Sequence, residues 1–166
     1  MLFRSNSDDR ETLAKTYDYY GASGVIDKID RYLFDTPLLL IGEDGANLVN
    51  RSTPIAFIAE GKYWVNNHAH VLDAINRTLL EYLRIYINSI DLGPYITGMA
   101  QPKMNQAQMN CIPIALPPLA EQRRIVEKVG DLMRWCDALD ARLSAAQTTA
   151  THLLDATLDR ALKGEL

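Results

Sequence analysis

The last third of the chain carries a long, regular alternation of apolar and polar positions. Between Leu119 and Leu162 no proline occurs, and Gly130 is the one glycine. Apolar or small residues recur there at alternating steps of four and three, at Ile125, Val129, Leu132, Cys136, Leu139, Leu143, Ala146, Ala150 and Leu153. This heptad spacing predicts one α-helix, from about Ala120 to Leu162, that buries a narrow stripe against another helix. Such a helix is roughly 60 Å long at ~1.5 Å per residue, so we expect it to serve as a spacer and docking device.

Shorter apolar runs, separated by turns, precede this helix. They predict five strands, at residues 25–29, 38–41, 55–59, 63–65 and 112–116. The continuous run Leu38–Ile41 is typical of a strand buried on both faces. A helix is predicted to run from an N-cap at Asp73 to about Ile90, and a single helical turn at residues 105–109.

Together these elements predict an α+β fold. We expect a small mixed α/β domain over residues 1–118 and a long C-terminal coiled-coil α-helix over residues 119–166. Pro117 and Pro118 separate the two parts, because proline is tolerated at the entry to a helix.

Composition narrows the class of protein. Of 166 residues, 48% are apolar and 23% are charged, which is ordinary for a globular chain. No run reaches the ~18 apolar residues of a membrane span, and the first residues do not resemble a signal peptide. Cys111 and Cys136 share no motif, so we expect a cytoplasmic protein with reduced thiols and no membrane association.

The charge balance argues against binding to nucleic acid by bulk charge alone. The net charge is −4, with 10 Lys and Arg against 13 Asp and Glu before Pro118, and 7 against 8 after it. Any binding of a phosphate backbone must therefore come from a local patch or from a partner.

Three polar segments are candidates for contacts with DNA. Residues 66–70 contain two asparagines and two histidines, which can hydrogen-bond base edges, although a polar turn that satisfies its own backbone explains them as well. Glu43 can accept a hydrogen bond from cytosine or can cap its own turn. Gln101 and Lys103 combine an amide with a cation on a loop, and Lys28 and Lys62 are further candidates for phosphate contacts.

No catalytic or metal-binding motif is evident. Ser23 lies in a Gly-Ala-Ser-Gly segment that lacks the spacing of a hydrolase nucleophile elbow. His68 and His70, together with Glu43 or Asp44, could bind zinc, but the histidines have no acidic or cysteine partner at a fixed spacing, so a zinc site is a weak interpretation. We therefore predict a non-enzymatic protein without a cofactor.

Five segments, taken in order, resemble the DNA-specificity subunit of type I restriction–modification systems. They are residues 20–26, 39–47, 64–72, 97–103 and 114–122. The Pro-Pro-Leu-x-Glu-Gln junction into the heptad helix is the most specific of them, and the resemblance extends over nearly all of residues 17–162.

The resemblance implies an architecture and a set of partners. A full specificity subunit carries two target recognition domains, each followed by a long helix. The helices pack antiparallel and dock methyltransferase subunits, through which the restriction subunit joins. This chain has one recognition domain and one helix, so it resembles a half-length form. The family usually has a further strand region before Tyr20, so we expect the N-terminal part of this recognition domain to be truncated.

The resemblance and the polar segments together define the expected sites. The expected contacts with double-stranded DNA are Tyr20, Ser23, Lys28, Glu43, Asn47, Lys62, Asn66, Asn67, His68, His70, Gln101 and Lys103. The heptad positions from Ile125 to Leu153 are the expected interface of an antiparallel homodimer. The alternative is a fragment that only dimerises or docks a methyltransferase without contacting DNA.

Overall fold

A computed structural model describes residues 15–164 of the chain. Within this range the strands are β1 (Tyr17–Gly21), β2 (Gly24–Ile29), β3 (Leu38–Gly42), β4 (Ala56–Ala59), β5 (Tyr63–Val65) and β6 (Ala69–Leu72). The α-helices are α1 (Asn47–Asn50), α2 (Arg77–Ser89), α3 (Gln106–Met109) and α4 (Leu119–Leu162), with a 3₁₀ turn at Gly93–Tyr95. This arrangement confirms the predicted α+β class and the long C-terminal helix.

The strands form two small sheets. In the first sheet, β1 lies between β2, to which it is antiparallel, and β5, to which it is parallel. In the second sheet, β3 lies between β4 and β6 and is antiparallel to both. The chain divides into two compact units, the first ending at Val126 and the second beginning at Glu127. The assignment of a recognition role to residues 1–118 and a spacer role to residues 119–166 stays a prediction.

Strand β3 separates two apolar cores. All five of its residues are buried, as its continuous apolar run predicts. Because side chains alternate across a strand, Leu39 and Ile41 pack with helix α2 on one side. Leu38 and Leu40 pack with Tyr63 on the other. The strand therefore holds both halves of the first unit together.

A half-buried amide joins helix α2 to the start of β4. The Asn88 side-chain oxygen accepts hydrogen bonds from the backbone N–H groups of Ile55 (2.9 Å) and Ala56 (3.1 Å). Its amide donates to the carbonyls of Ala56 (2.7 Å) and Arg84 (2.9 Å). Both Ile55 and Ala56 are fully buried, so no water can replace these bonds.

The predicted start of helix α2 was wrong by several residues. Residues 69–72 pair with β3 as strand β6, so the chain must turn before it can become helical. The N-cap is Asn76, whose side chain accepts from the Leu79 N–H at 2.9 Å, and not Asp73. Asp73 instead accepts a hydrogen bond from the backbone of Ala74.

The predicted strand at residues 112–116 was also wrong, although the segment between α3 and α4 has a repeating pattern of its own. Alternate carbonyls accept hydrogen bonds from side chains. Tyr86 donates to the Pro113 carbonyl (2.8 Å), Tyr82 to the Ala115 carbonyl, and Gln122 to the Pro117 carbonyl (2.8 Å). Prolines at 113, 117 and 118 lack the N–H groups that a ladder needs, so side chains take the place of a neighbouring strand.

We predict that Asn88→Ala lowers the free energy of unfolding of the first unit by about 2–4 kcal/mol, because it leaves the buried N–H groups of Ile55 and Ala56 without acceptors. Urea denaturation followed by tryptophan fluorescence, in a Trp135→Phe background so that Trp64 alone reports, measures this. Asn50→Ala, at an exposed position, is the matched control and should change stability by less than about 0.5 kcal/mol. Equal stability of the two variants would contradict the role of Asn88.

Candidate nucleic-acid interface

Three segments that are distant in sequence meet at the end of strand β3. Residues 43–45 hydrogen-bond on one side to the segment before β6, through the Glu43 N–H and the His68 carbonyl (2.9 Å). On the other side they bond residues 102–104, where the Gly45 N–H donates to the Pro102 carbonyl (3.0 Å) and the Met104 N–H to the Glu43 carbonyl (2.7 Å). We call residues 43–45, 66–70 and 97–104 the loop platform.

The loop at residues 97–103 forms one edge of the platform. Its ends are closed by reciprocal backbone hydrogen bonds between Thr97 and Lys103, of 2.8 and 2.7 Å. Gly98 has φ +84°, and a Cβ there would lie 2.4 Å from the Gln101 carbonyl oxygen, so the turn requires glycine. The turn holds Gln101 in an exposed position, next to the fully exposed Met99.

The two acids of the β3 loop are each paired with a basic side chain. Lys103 Nζ lies 3.0 Å from Glu43 Oε1, and the hydrogen bond and the charge of Glu43 raise the pKa of Lys103, with a smaller contribution from Asp44. Asp44 Oδ2 lies 2.6 Å from His68 Nδ1. These pairs weaken the repulsion that two unpaired carboxylates would exert on a phosphate.

The two histidines of the platform have different roles. A carboxylate only accepts hydrogen bonds, so the Asp44 contact assigns the proton of His68 to Nδ1 and leaves Nε2 for another group. His68 keeps 42% of its side chain exposed. His70 instead uses Nε2 to donate to the Met104 carbonyl at 2.8 Å, which ties β6 to the loop. Among the described residues no group of His, Cys, Asp and Glu is arranged to hold a metal ion.

The asparagines shape the turn before β6. The Asn66 side chain accepts from the His68 N–H at 2.8 Å, and the Asn66 N–H donates to the Tyr20 carbonyl at 2.9 Å, which extends the β1–β5 pairing. Asn66 therefore satisfies local backbone groups in a polar turn, which is one of the two interpretations given to residues 66–70 from the sequence. Asn67 follows it in the turn and is half-buried.

The β1–β2 turn also reaches the platform. A Cβ on Gly42 would lie 2.5 Å from the Ala22 carbonyl oxygen, so this turn packs directly against the end of β3. Ser23 lies in the turn and is exposed. This contact connects the first sheet to the loop that follows the second.

Other candidate residues hold local structure away from the platform's ion pairs. Lys28 pairs with Asp18 at 3.0 Å on the first sheet, and Lys62 lies 4.7 Å from the centroid of the Tyr32 ring. Asn47 accepts from the Thr53 N–H at 3.0 Å and closes the loop after α1.

Tyr20 is half-buried between aromatic rings. Its ring stacks on Phe57 at 5.9 Å between centroids and meets Tyr63 edge-on at 5.5 Å. Burial, and then the charges of Asp18 and Glu60, raises the pKa of Tyr20. Its contact with DNA stays a prediction, as do those of the other candidates.

Asp44 was missing from the expected contacts, although it orients one of them. The sequence suggested Asp44 beside the histidines only as a weak metal ligand, because 24 residues separate Asp44 from His68. The pairing of β3 with β6 brings them together. A carboxylate in the loop after a buried strand is the nearest local indication.

Helix α4 exposes most of its predicted stripe. Ile125 packs against the apolar core of the first unit and is half-buried, as is Val129. The remaining predicted interface positions are exposed in the single chain: Leu132, Cys136, Leu139, Leu143, Ala146, Ala150 and Leu153. Among the described helices, none is long and apolar enough to cross a membrane.

Comparisons with known proteins agree on one family. A family model described as the type I restriction modification DNA specificity domain matches residues 4–146. The chain is 36% identical over 110 residues to a putative type I restriction enzyme specificity subunit of Haemophilus influenzae, covering 66% of this chain and 28% of that protein. It is 39% identical over 88 residues to the EcoEI specificity subunit of Escherichia coli, covering 49% and 15%. The chain thus spans less than a third of either relative.

A solved structure shares the fold. It comes from work on the "complex assembly and conformational transition of the type I R-M system". The similarity has a TM-score of 0.73 at 18% sequence identity, and it covers 100% of this chain and 43% of the other.

We predict that Gly42→Ala destabilises the first unit by about 1–3 kcal/mol, because its Cβ would collide with the Ala22 backbone. Gly130→Ala is the control with the opposite expected sign. The nearest atom there is 3.5 Å away on a flexible arginine, and a helix gains about 0.5–1 kcal/mol from alanine. Thermal unfolding of the two variants measures both effects. Unchanged stability of the Gly42→Ala protein would contradict close packing of the β1–β2 turn on β3.

Proposed function

The chain belongs to the type I restriction modification DNA specificity family, and we propose that it recognises a specific DNA sequence through the loop platform. The observation that carries this proposal is the family match over residues 4–146, which includes every segment of the platform. In this role the chain supplies recognition and not chemistry.

The platform supports recognition because it holds several kinds of hydrogen-bonding group in fixed positions. Gln101 is an amide that can pair with adenine, and His68 can use its Nε2 on a base edge or a phosphate. Lys103 can exchange Glu43 for a phosphate, which leaves the Glu43 carboxylate to accept from cytosine N4. The backbone of His68 and of Glu43 hydrogen-bonds a neighbouring segment, Lys103 closes its own loop through Thr97, and Gln101 precedes Pro102, whose carbonyl accepts from Gly45.

We further propose that the chain works inside a larger assembly. Its net charge of −4 gives little general attraction for DNA. A methyltransferase subunit, and through it a restriction subunit, would then add binding to the backbone and carry out the reactions. In this arrangement the chain acts as a half-subunit with one target recognition domain, and it positions these partners on one half of a split target.

Co-expression with the methyltransferase subunit of its own system tests this function. Methylation at one defined sequence, lost when the chain is omitted, supports recognition by the chain. Methylation that persists without it contradicts the proposal. A chain that binds the methyltransferase but leaves DNA unmethylated and unbound would favour the alternative role in docking alone.

We predict that His68→Ala and Asn67→Ala each weaken binding of the assembled complex to its cognate site by roughly 1–3 kcal/mol, with little effect on random duplex. The reason is that contacts with base edges distinguish sequences and contacts with phosphates do not. Fluorescence anisotropy at fixed salt measures both affinities. Equal losses on cognate and random DNA would exclude these two side chains from reading bases.

Three further variants refine this test. Lys103→Ala should weaken binding to both duplexes and reduce the salt dependence by about one phosphate contact, whereas Lys15→Ala, an exposed cation paired with Asp27, should do neither. Asp44→Asn should weaken cognate binding in the wild type but add nothing in the His68→Ala background, because it acts by orienting His68.

We also propose that helix α4 forms an antiparallel homodimer. An exposed apolar stripe from Leu132 to Leu153 is larger than the isolated apolar residues of ordinary surfaces. A two-fold pair is the closed arrangement for identical chains. It would give the assembly two recognition domains and two helices, which suits a target whose two halves are inverted copies.

We predict that Leu139→Asp converts the dimer to a monomer, because it would place an unpaired charge in the seam at a cost of several kcal/mol. Light scattering at micromolar concentration measures the mass. Asp137→Ala, outside the stripe, is the control and should leave the dimer intact. A wild type with the monomer mass of 18.6 kDa would refute the dimer, and a dimer that survives Leu139→Asp would exclude helix α4 as its interface.

A further inference from the structure

The sizes and charges of the side chains on the exposed face of helix α4 favour one alignment of two copies. We propose that two copies pair antiparallel with Cys136 of one chain facing Leu139 of the other, an alignment fixed by Trp135 of one chain against Arg142 of the other. This inference rests on the proposed homodimer and adds its register. The partner it specifies is a second copy of this chain.

The distribution of large and small residues favours an antiparallel pair. In a parallel pair each residue faces its own copy, so Ala146 and Ala150 would form two consecutive thin layers. In the proposed antiparallel pair Ala146 faces Val129, and Ala150 faces Ile125. Ile125 is already half-buried by the first unit, so a small residue opposite it is appropriate.

If the half-buried Ile125 is left out, an antiparallel pair has four simple registers, which differ by the residue that faces Cys136. The choices are Leu132, Leu139, Ala146 and Leu153, and each step shifts the partner by seven residues, or about 10 Å. In antiparallel coiled coils the positions that flank the seam face equivalent positions of the partner. The charges at those flanks therefore discriminate between registers.

Two registers bring like charges together. When Cys136 faces Leu132, Lys128 of each chain lies opposite Arg142 of the other. When Cys136 faces Ala146, Arg142 faces Arg142 and Asp140 faces Asp140 across the two-fold axis. Like-charge pairs at such positions destabilise a coiled coil.

A third register places polar groups in the seam itself. When Cys136 faces Leu153, Leu132 lies opposite Thr157 and Val129 lies opposite Arg160. A charge at a seam position is costly because the seam is shielded from water.

The remaining register brings no like charges together and places no charged residue in the seam, and it gains a specific contact. Leu153 then falls opposite Gln122, which is already buried in its own chain. With Cys136 facing Leu139, Leu132 faces Leu143 and Val129 faces Ala146, and each layer occurs twice by symmetry. At the flanks Trp135 faces Arg142, whose guanidinium can stack on the indole. Trp135 is 63% exposed, and Lys128 Nζ already lies 5.7 Å from its ring centroid, so this flank attracts cations.

Native Cys136 allows the register to be read directly. In a Cys111→Ser background, the four single variants Leu132→Cys, Leu139→Cys, Ala146→Cys and Leu153→Cys each place a second thiol opposite Cys136 in one register alone. A disulfide needs Cα atoms within about 7 Å, less than the ~10 Å between registers. Mild oxidation of the full chain, followed by a non-reducing gel, then identifies the alignment.

We expect Leu139→Cys to give mainly disulfide-linked dimer, and the other three variants to remain mainly uncrosslinked. Asp137→Cys, outside the seam, measures random collision. Dominant crosslinking of another variant, or of Cys136 alone as in a parallel pair, overturns the proposal. Arg142→Gln should reduce the Leu139→Cys crosslink, whereas Arg134→Gln, whose side chain bonds Asp131 of its own helix, should not.

Light scattering on the same samples separates this inference from the dimer itself. A monomeric mass before oxidation removes the proposed homodimer and the register with it. A dimeric mass with no crosslink from any of the four variants removes helix α4 as the interface. Neither result bears on recognition of DNA, which the methylation experiment tests separately.

Discussion

The burial of strand β3 on both faces is the constraint on which the first unit depends. Leu38 and Leu40 belong to one core and Leu39 and Ile41 to the other. A shift of one residue would exchange the two sets, so the register against β4 and β6 is fixed by packing on both sides. The loop that follows β3 after Gly42 therefore begins at a fixed position. A rigid strand thereby places Glu43 and Asp44 where two other loops can reach them.

An acidic chain can still present a surface that suits DNA if its acids are paired. Glu43 and Lys103 form an ion pair with a half-exposed lysine, and Asp44 and His68 share a hydrogen bond. Partly exposed pairs of this kind contribute little to stability. Their value lies in orientation, because each holds a donor in place without burying it. A phosphate or a base edge can then replace a carboxylate as partner. In the proposed function, this exchange of partners would make DNA binding depend on local geometry more than on total charge.

The sequence was sufficient to predict the elements that depend on local pattern. The predictions failed where contacts between distant segments determine the secondary structure. The apolar run of β3 and the heptads of α4 were sufficient to identify both, because each buries a face set by its own periodicity. Strand β6 was missed because its pairing with β3 makes a strand of residues that locally resemble a polar turn. The same pairing moved the start of α2 from Asp73 to Asn76. The contact of Asp44 with His68 likewise can be predicted only once the strand topology is known.

The segment between α3 and α4 explains where the helix stops belonging to the first unit. Tyr86, Tyr82 and Gln122 bond three alternate carbonyls, so the chain is held in an extended form up to the first turn of the helix. Ile125 and Val126 then pack against the core of the first unit. A position that its own chain partly covers offers less apolar surface to a partner. The exposed apolar positions of the stripe therefore begin at Leu132. Ile125, on the same heptad pattern, is half-buried and packs within the first unit.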